Sequence, residues 1–404
     1  MGTALSGLRI VDLSRILAGP FCTMILADLG ADVIKIERPG EGDDTRSWGP
    51  PFLVNANGDE TAESAYFQSI NRNKRSVTVD ISSIEGACLV RRLIAKSDVL
   101  VENFKFGSLA KYGLAYEDLK PEFPGLVYCS ITGFGHTGPY ADQAGYDFLA
   151  QALGGMMSLT GEPDGQPMKV GIGNADLMTG MFAAVSILAA LRHKDANGEG
   201  QHIDISLLDS QVAWLTYEAQ NYLVSGKQPK RVGNAHPNIY PYDTFQTADG
   251  YIVLTVGNDR QFVKFCQVAG IPELAADERF ATNPQRLKNQ ADLDPKLREI
   301  MRARGSQDWF DMLQPEHVPC SAVNSIPEVF CNEQVLARGM RVEMEHPGTG
   351  TAVPMVGSPI KMSASPSGYR YSAPILGEHT EEVLADLLDL SLQDIMDLRK
   401  RTAI

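Results

Sequence analysis

Asp176 is the carboxylate whose surroundings best suit nucleophilic chemistry. It stands in Gly173-Asn174-Ala175-Asp176-Leu177-Met178-Thr179-Gly180, directly before an apolar run from Leu177 to Leu191. An acidic residue in that place ordinarily caps the following helix, its oxygens accepting from the first unpaired amides. The position also has a chemical use. Helix amides and the positive dipole end would keep the carboxylate ionised, and so able to attack an electrophilic carbonyl. Spacing alone does not choose between cap and nucleophile.

A second group of residues could hold an anion. Glu37-Arg38-Pro39-Gly40 is joined by Asp43-Asp44-Thr45-Arg46 and by Asn71-Arg72-Asn73-Lys74-Arg75-Ser76. Each alone reads as a solvated loop. Both clusters fall at the ends of predicted strands or their approaches, where open α/β sheets bind ligands. A fork of Arg and Lys there suits a phosphorylated nucleotide such as the 3′-phospho-ADP of coenzyme A. A third pattern, Gly133-Phe134-Gly135-His136-Thr137-Gly138, is a literal G-x-G-x-x-G. A dinucleotide fingerprint also needs a helix opening within it and a later strand ending in an acid. Pro139-Tyr140-Ala141-Asp142 follows instead, so nicotinamide or flavin binding is not expected.

These groups need a scaffold. Leu8 to Asp12 reads as a strand, Ala18 to Leu29 as a helix with Pro20 in its first turn, and Val33 to Glu37 as a second strand. The rhythm repeats with strands at Ser76–Asp80, Asp98–Glu102 and Leu126–Ile131, a helix at Ile84–Lys96, and further helices near Tyr146–Ser158 and Leu177–His193. This predicts an α/β fold with a large, open, doubly wound parallel sheet. Ser225-Gly226-Lys227-Gln228-Pro229 reads as a linker, giving a large domain over 1–225. A smaller α+β domain over 226–325 opens with a hairpin at Asp249-Gly250. The segment 326–404 returns to the large domain and ends in an amphipathic helix from Glu381.

The formal net charge is −14, the wrong sign for a nucleic-acid or anionic-membrane partner. An anionic ligand remains compatible, because local cations act within a Debye length of about 8–10 Å. Six scattered cysteines without a C-x-x-C pair fit a reducing compartment, and no metal-site spacing occurs among the histidines. The amino-terminal apolar stretch is broken by Arg9, Asp12 and Arg15, unlike a signal-peptide core. The run Leu177 to Leu191 falls short of the ~20 residues that span a bilayer. The expected location is the cytoplasm, or the mitochondrial matrix for a processed eukaryotic protein.

Longer motifs carry a resemblance. Gly7 to Arg15, Ala18-Gly19-Pro20, Leu29 to Gly40, Asn73 to Ser76, Asp98 to Phe104, Thr132 to Gly135, Gly200 to Ser206 and Leu376 to Thr380 occur in order along nearly the whole chain. In them the chain resembles the class III coenzyme A transferase family, which also contains alpha-methylacyl-CoA racemases. The resemblance implies that Asp176 is the catalytic aspartate. It places Arg38, Asn73, Lys74, Arg75, Asn103 and Phe104, and less directly Lys111, Tyr146 and Asp147, against coenzyme A. It implies a Rossmann-like large domain without dinucleotide function, and two protomers threaded as interlocked rings. Acyl-CoA and a small carboxylic acid would be the substrates, with no tightly bound cofactor and no metal.

The family's racemases have a histidine where this chain has Tyr146, before Asp147. A racemase needs a second base working near neutral pH, which tyrosine, with an ordinary pKa of about 10, is not. Transfer is therefore the expected reaction, with racemisation and a non-catalytic acyl-CoA binder as the alternatives. Backbone amides near Leu17 and at Gly257-Asn258 are the expected oxyanion donors. Ile16-Leu17 departs from the glutamine of formate-specific relatives, and their run of four glycines is missing. Gly233 to Tyr242 resembles the branch acting on succinyl-CoA and short dicarboxylates such as glutarate. There Asn234 or His236, with Arg15, is expected to meet the distal carboxylate.

Overall fold

The predicted strand–helix–strand opening forms as a parallel sheet. The computed structural model describes residues 3–404. Six strands build the large sheet: β1 (Arg9–Asp12), β2 (Asp32–Glu37), β3 (Lys74–Thr78), β4 (Val99–Glu102), β5 (Val127–Thr132) and β6 (His202–Ser206). All pair in parallel, in the order β3-β2-β1-β4-β5-β6. Strands covered on both faces are apolar on both faces. Ile10, Val33, Val99, Val101 and Val127 pack to one side, and Val11, Ile34, Leu100 and Tyr128 to the other.

Helices α1 (Ala18–Asp28) and α4 (Asn174–Asn197) cover the first side. They approach closely at Gly180, where a Cβ would stand 2.6 Å from the Ala18 carbonyl oxygen. Helix α2 (Ile84–Ile94) and two carboxy-terminal helices, Thr380–Leu388 and Leu392–Lys400, cover the second side. The short α3 (Asp147–Leu153) ends at Gly154, splitting the single helix expected to reach Ser158. Helix α4 is longer than its apolar run suggests. At 24 residues it is long and apolar enough to cross a bilayer by length and composition, with its inner side packed on α1.

The chain divides into two compact units. The first takes 3–156, Lys169–Val224 and Gln334–Ile404; the second takes Met157–Met168 and Ser225–Glu333. The expected boundaries at 225 and 326 thus miss a short excursion at 157–168. The second unit has the expected hairpin, Tyr242–Gln246 with Tyr251–Thr255, and an unexpected third strand, Cys320–Ala322. Its core gathers Phe245, Phe262, Phe265 and Trp309. In the first unit, two antiparallel hairpins, Phe52–Val54 with Glu60–Ser64 and Arg341–His346 with Thr351–Val356, also lie outside the parallel sheet.

Candidate active site

In a sheet ordered this way, neighbouring connections leave in opposite directions at β1 and β4, and a crevice opens beyond their carboxyl ends. The loops that follow those strands, Leu13–Leu17 and Asn103–Phe106, both line cavities here. One, of about 380 Å³, is lined by Leu13, Arg15, Arg38, Asp80, Phe104 and Tyr112, among others. The other, of about 400 Å³, is lined by Leu17, Ala18, Trp48, Asn103, Tyr146 and Asp176, among others. Arg15, Asp44 and Phe104 border both, so a continuous wall runs from Arg38 to Asp176. Buried Glu102 anchors it by accepting from the Phe104 N–H at 2.8 Å; burial pushes that carboxyl up to about 7.

Asp176 is the third residue of α4 rather than a residue ahead of it, and it is not the cap. Asp147 is. Its Oδ1 accepts from the Ala175 N–H at 2.7 Å and the Asp176 N–H at 3.3 Å, and Gln151 Nε2 donates to its Oδ2 at 2.8 Å. The positive end of α4 is therefore already matched by another carboxylate. Burial, and then the charge of Asp147, raise Asp176 to about 7. The expectation of a carboxylate held ionised by its own helix is corrected: Asp176 is a near-neutral acid. Once deprotonated it is a more basic nucleophile than an ordinary carboxylate.

Residues 5–380 match CoA-transferase family III. The chain belongs to that family. It is 51% identical over 383 residues to the succinate–glutarate CoA-transferase of Agrobacterium fabrum, covering 95% of each chain. It is 44% identical over 384 residues to the succinyl-CoA:glutarate CoA-transferase of Mus musculus, covering 95% of this chain and 86% of that one. The crystal structure of a CAIB/BAIF family protein from Brucella suis superposes with a TM-score of 0.84 at 49% identity, covering 96% and 100% of the two chains. The chain is thus a class III CoA-transferase, an enzyme whose reaction class uses CoA thioesters.

Within the family frame, the polar clusters divide. Arg38 stands exposed at the mouth cavity, its one ion pair among the described residues being with exposed Glu41 at 2.9 Å. Lys111 lies beside that mouth, its Nζ 4.7 Å from the ring of Tyr112. Asn73, Lys74 and Arg75 do not join them. Lys74 is fully buried on Asp12, the Pro20 carbonyl and Asn71. Burial pulls Lys74 down to about 8, against the attraction of Asp12. Asn73 ties Asp28 to Gly368 and Arg370, and Arg75 holds Asp32 and Glu382. Arg46 and Arg72 are likewise engaged, on Glu37 and Asp28. An unpaired cation cannot remain inside, so these residues stabilise the scaffold and leave Arg38 as the cluster's open donor.

The G-x-G-x-x-G serves packing. Gly133 faces Gly145, and a Cβ on Gly133 would lie within 2.4 Å of the Gly145 Cα. In the second unit, Asn234 is exposed, while His236 Nδ1 accepts from the Asn238 N–H at 3.0 Å. The Gly257 N–H donates to Gln261 Oε1 at 2.9 Å, and Asn258 caps a helix, so that amide is not open to an oxyanion. Leu17 and Ala18 differ: among the described residues nothing accepts from their N–H groups, and both line the Asp176 cavity. Trp48 also lines it and meets Tyr66 edge-on at 5.2 Å between centroids. Burial, followed by the charges of Asp176 and Asp147, raises the Tyr66 phenol, which marks its closeness to both. Nothing in the spacing of Trp48 and Tyr66 distinguishes them from surface aromatics.

Proposed function

We propose that this enzyme moves coenzyme A from succinyl-CoA to glutarate or a similar short dicarboxylate, through covalent intermediates on Asp176. The observation that carries the reading is a half-buried Asp176, its carboxyl raised to about 7, lining one cavity with the unpaired Leu17 and Ala18 amides at the end of the wall leading from Arg38. The names of the two relatives supply the substrate pair.

An Asp176 oxygen attacks the thioester carbonyl, the C–S bond breaks, and CoA leaves as thiolate from a mixed aspartyl–succinyl anhydride. The thiolate then attacks the aspartyl carbonyl, giving an aspartyl-CoA thioester and succinate. The acceptor carboxylate displaces the thiolate again to form a second anhydride. Thiolate attack on the acceptor's acyl carbon finally releases acyl-CoA and restores Asp176. Each tetrahedral oxyanion is met by the Leu17 and Ala18 N–H groups. Arg15, half-exposed between the cavities and paired with Asp44 at 3.0 Å, supplies the charge for a second carboxylate. Water exclusion is essential, since each anhydride is open to hydrolysis.

The protein acts as a homodimer in this reading. Support comes from α4, whose outer side exposes Met181, Phe182, Val185 and Leu188, and from exposed Leu153 and Leu223. Six free cysteines suit a cytoplasmic compartment. The racemase alternative is disfavoured by Tyr146, which stands exposed at the cavity in the place where the family's racemases have a histidine. Incubation with succinyl-CoA and ¹³C-glutarate is expected to yield ¹³C-glutaryl-CoA and unlabelled succinate in equal amounts by mass spectrometry. Deuterium uptake into a 2-methylacyl-CoA, with no labelled glutaryl-CoA, would sink the transferase reading.

A further inference from the structure

The segment that delivers the Leu17 amide to the cavity is held in an unfavourable conformation. Ile16 has φ of 70°, in the left-handed region where a β-branched residue is an outlier. Side chains grip the backbone leading into it, up to its own N–H. Ser14 N–H donates to Asp12 Oδ1 at 2.9 Å, and Lys35 Nζ donates to the Ser14 carbonyl at 2.9 Å. Asn103 takes both groups of the next residue: its Oδ1 accepts from Arg15 N–H at 2.8 Å, and its Nδ2 donates to Arg15 C=O at 2.7 Å. Ile16 N–H donates to Asp43 Oδ1 at 3.2 Å, and the other Asp43 oxygen is held by fully buried Lys35 at 2.8 Å.

Asn103 thus binds Arg15 as a neighbouring strand would, with one donor and one acceptor matched to a single residue. Both of its polar side-chain atoms are engaged on protein backbone, although family resemblance assigns the residue to coenzyme A. We propose that Asn103 is a positioning residue: by clamping the Arg15 backbone it keeps Ile16 left-handed, and so aims the Leu17 N–H at the carbon that Asp176 attacks. This rests on the transfer mechanism above and adds to it the part that fixes one oxyanion donor in place.

The clamp predicts a separation of kcat from binding. Asn103→Ala is expected to lower kcat about 10- to 100-fold, the scale of a donor displaced by roughly 1 Å. Its Kd for CoA, measured by calorimetry, is expected to stay within about threefold, since both polar side-chain atoms of Asn103 are already engaged on Arg15. Ile16→Gly introduced into Asn103→Ala is expected to restore kcat at least about threefold, because glycine occupies φ near 70° without steric cost. A merely structural contribution to folding would show instead as a higher melting temperature in the double variant with no recovery of kcat per folded enzyme. Asn103→Asp keeps the acceptor, loses the donor and is expected to fall between; it carries the same comparison if Asn103→Ala does not fold. The proposal is overturned if Asn103→Ala weakens CoA about tenfold at unchanged kcat, or if Ile16→Gly recovers none of the lost kcat. Failure of the transfer mechanism shows separately, as wild-type enzyme that makes no glutaryl-CoA.

Discussion

Asp176→Ala is expected to lose about 10⁴-fold or more of the succinyl-CoA:glutarate exchange rate, while CoA binding changes by less than about threefold. The size follows from what the residue does. No other described carboxylate combines a place in this cavity with a pKa lifted to about 7. Asp147 cannot substitute, because its oxygens are occupied by the Ala175 and Asp176 amides and by Gln151. Binding should survive because Arg38 and Tyr112 line the mouth cavity and not the cavity that holds Asp176. Calorimetry with CoA and a mass-spectrometric exchange assay separate the two quantities. Exchange within about tenfold of wild type would remove Asp176 from the chemistry.

The second large effect concerns stability. An aspartate that titrates at about 7 in the fold and near 3.9 when unfolded binds its proton more tightly in the native state. Its contribution to stability is therefore complete below pH 4 and is lost as pH rises from about 4 to about 7. The difference of about 3 units corresponds to at most about 4 kcal/mol. Asp176→Asn keeps the shape and removes the titration. The inactive variant is expected to melt higher than wild type at pH 8, with the gap shrinking steadily as pH falls to 5. Calorimetric melting across that range checks the sign. A gap that stays constant from pH 5 to 8 would mean that Asp176 carries no raised pKa.

A nucleophile destabilised where it works is a familiar compromise, since function draws on groups held in unfavourable states. Two such features converge here. Asp176 is a half-buried acid beside a second carboxylate, and Ile16 is a β-branched residue at positive φ. The buried Lys35–Asp43 pair holds the Ile16 backbone, and Asp147 with Gln151 holds the start of the helix that carries Asp176. Lys35 keeps the Asp43 carboxyl at about 2 although burial opposes it, so this pair stays charged throughout the neutral range.

Local signals in the sequence carried the elements that depend on local signals. Val33 to Glu37 and Asp98 to Glu102 read as strands from their apolar runs, and Ala18 with Pro20 marked a helix start. Asp176 was legible as either cap or nucleophile, and only the structure separates those roles, because the capping oxygens come from Asp147, 28 and 29 positions before the amides they accept from. The fate of the cationic cluster was equally hidden. Lys35 and Lys74 look like surface residues by type, yet both are fully buried on one face of the sheet, paired with Asp43 and Asp12. The Phe52–Val54 hairpin escaped notice because Asn55, Asn57 and Gly58 suggest loop while its second strand, Glu60 to Ser64, is polar. The substrate wall from Arg38 to Asp176 was accessible through family motifs, whereas Trp48 and Tyr66 needed the fold to bring them there.

The most direct test of the central claim is peptide mass mapping after succinyl-CoA is added, without acceptor, and the reaction is quenched with hydroxylamine. An acyl group or thioester on Asp176 would be converted to a hydroxamate, adding about 15 Da to the peptide that contains it and to no other. This account predicts that mass shift in the wild type and its disappearance in Asp176→Ala. An unmodified Asp176 peptide, from enzyme that still forms glutaryl-CoA when glutarate is supplied, would contradict covalent catalysis at this residue.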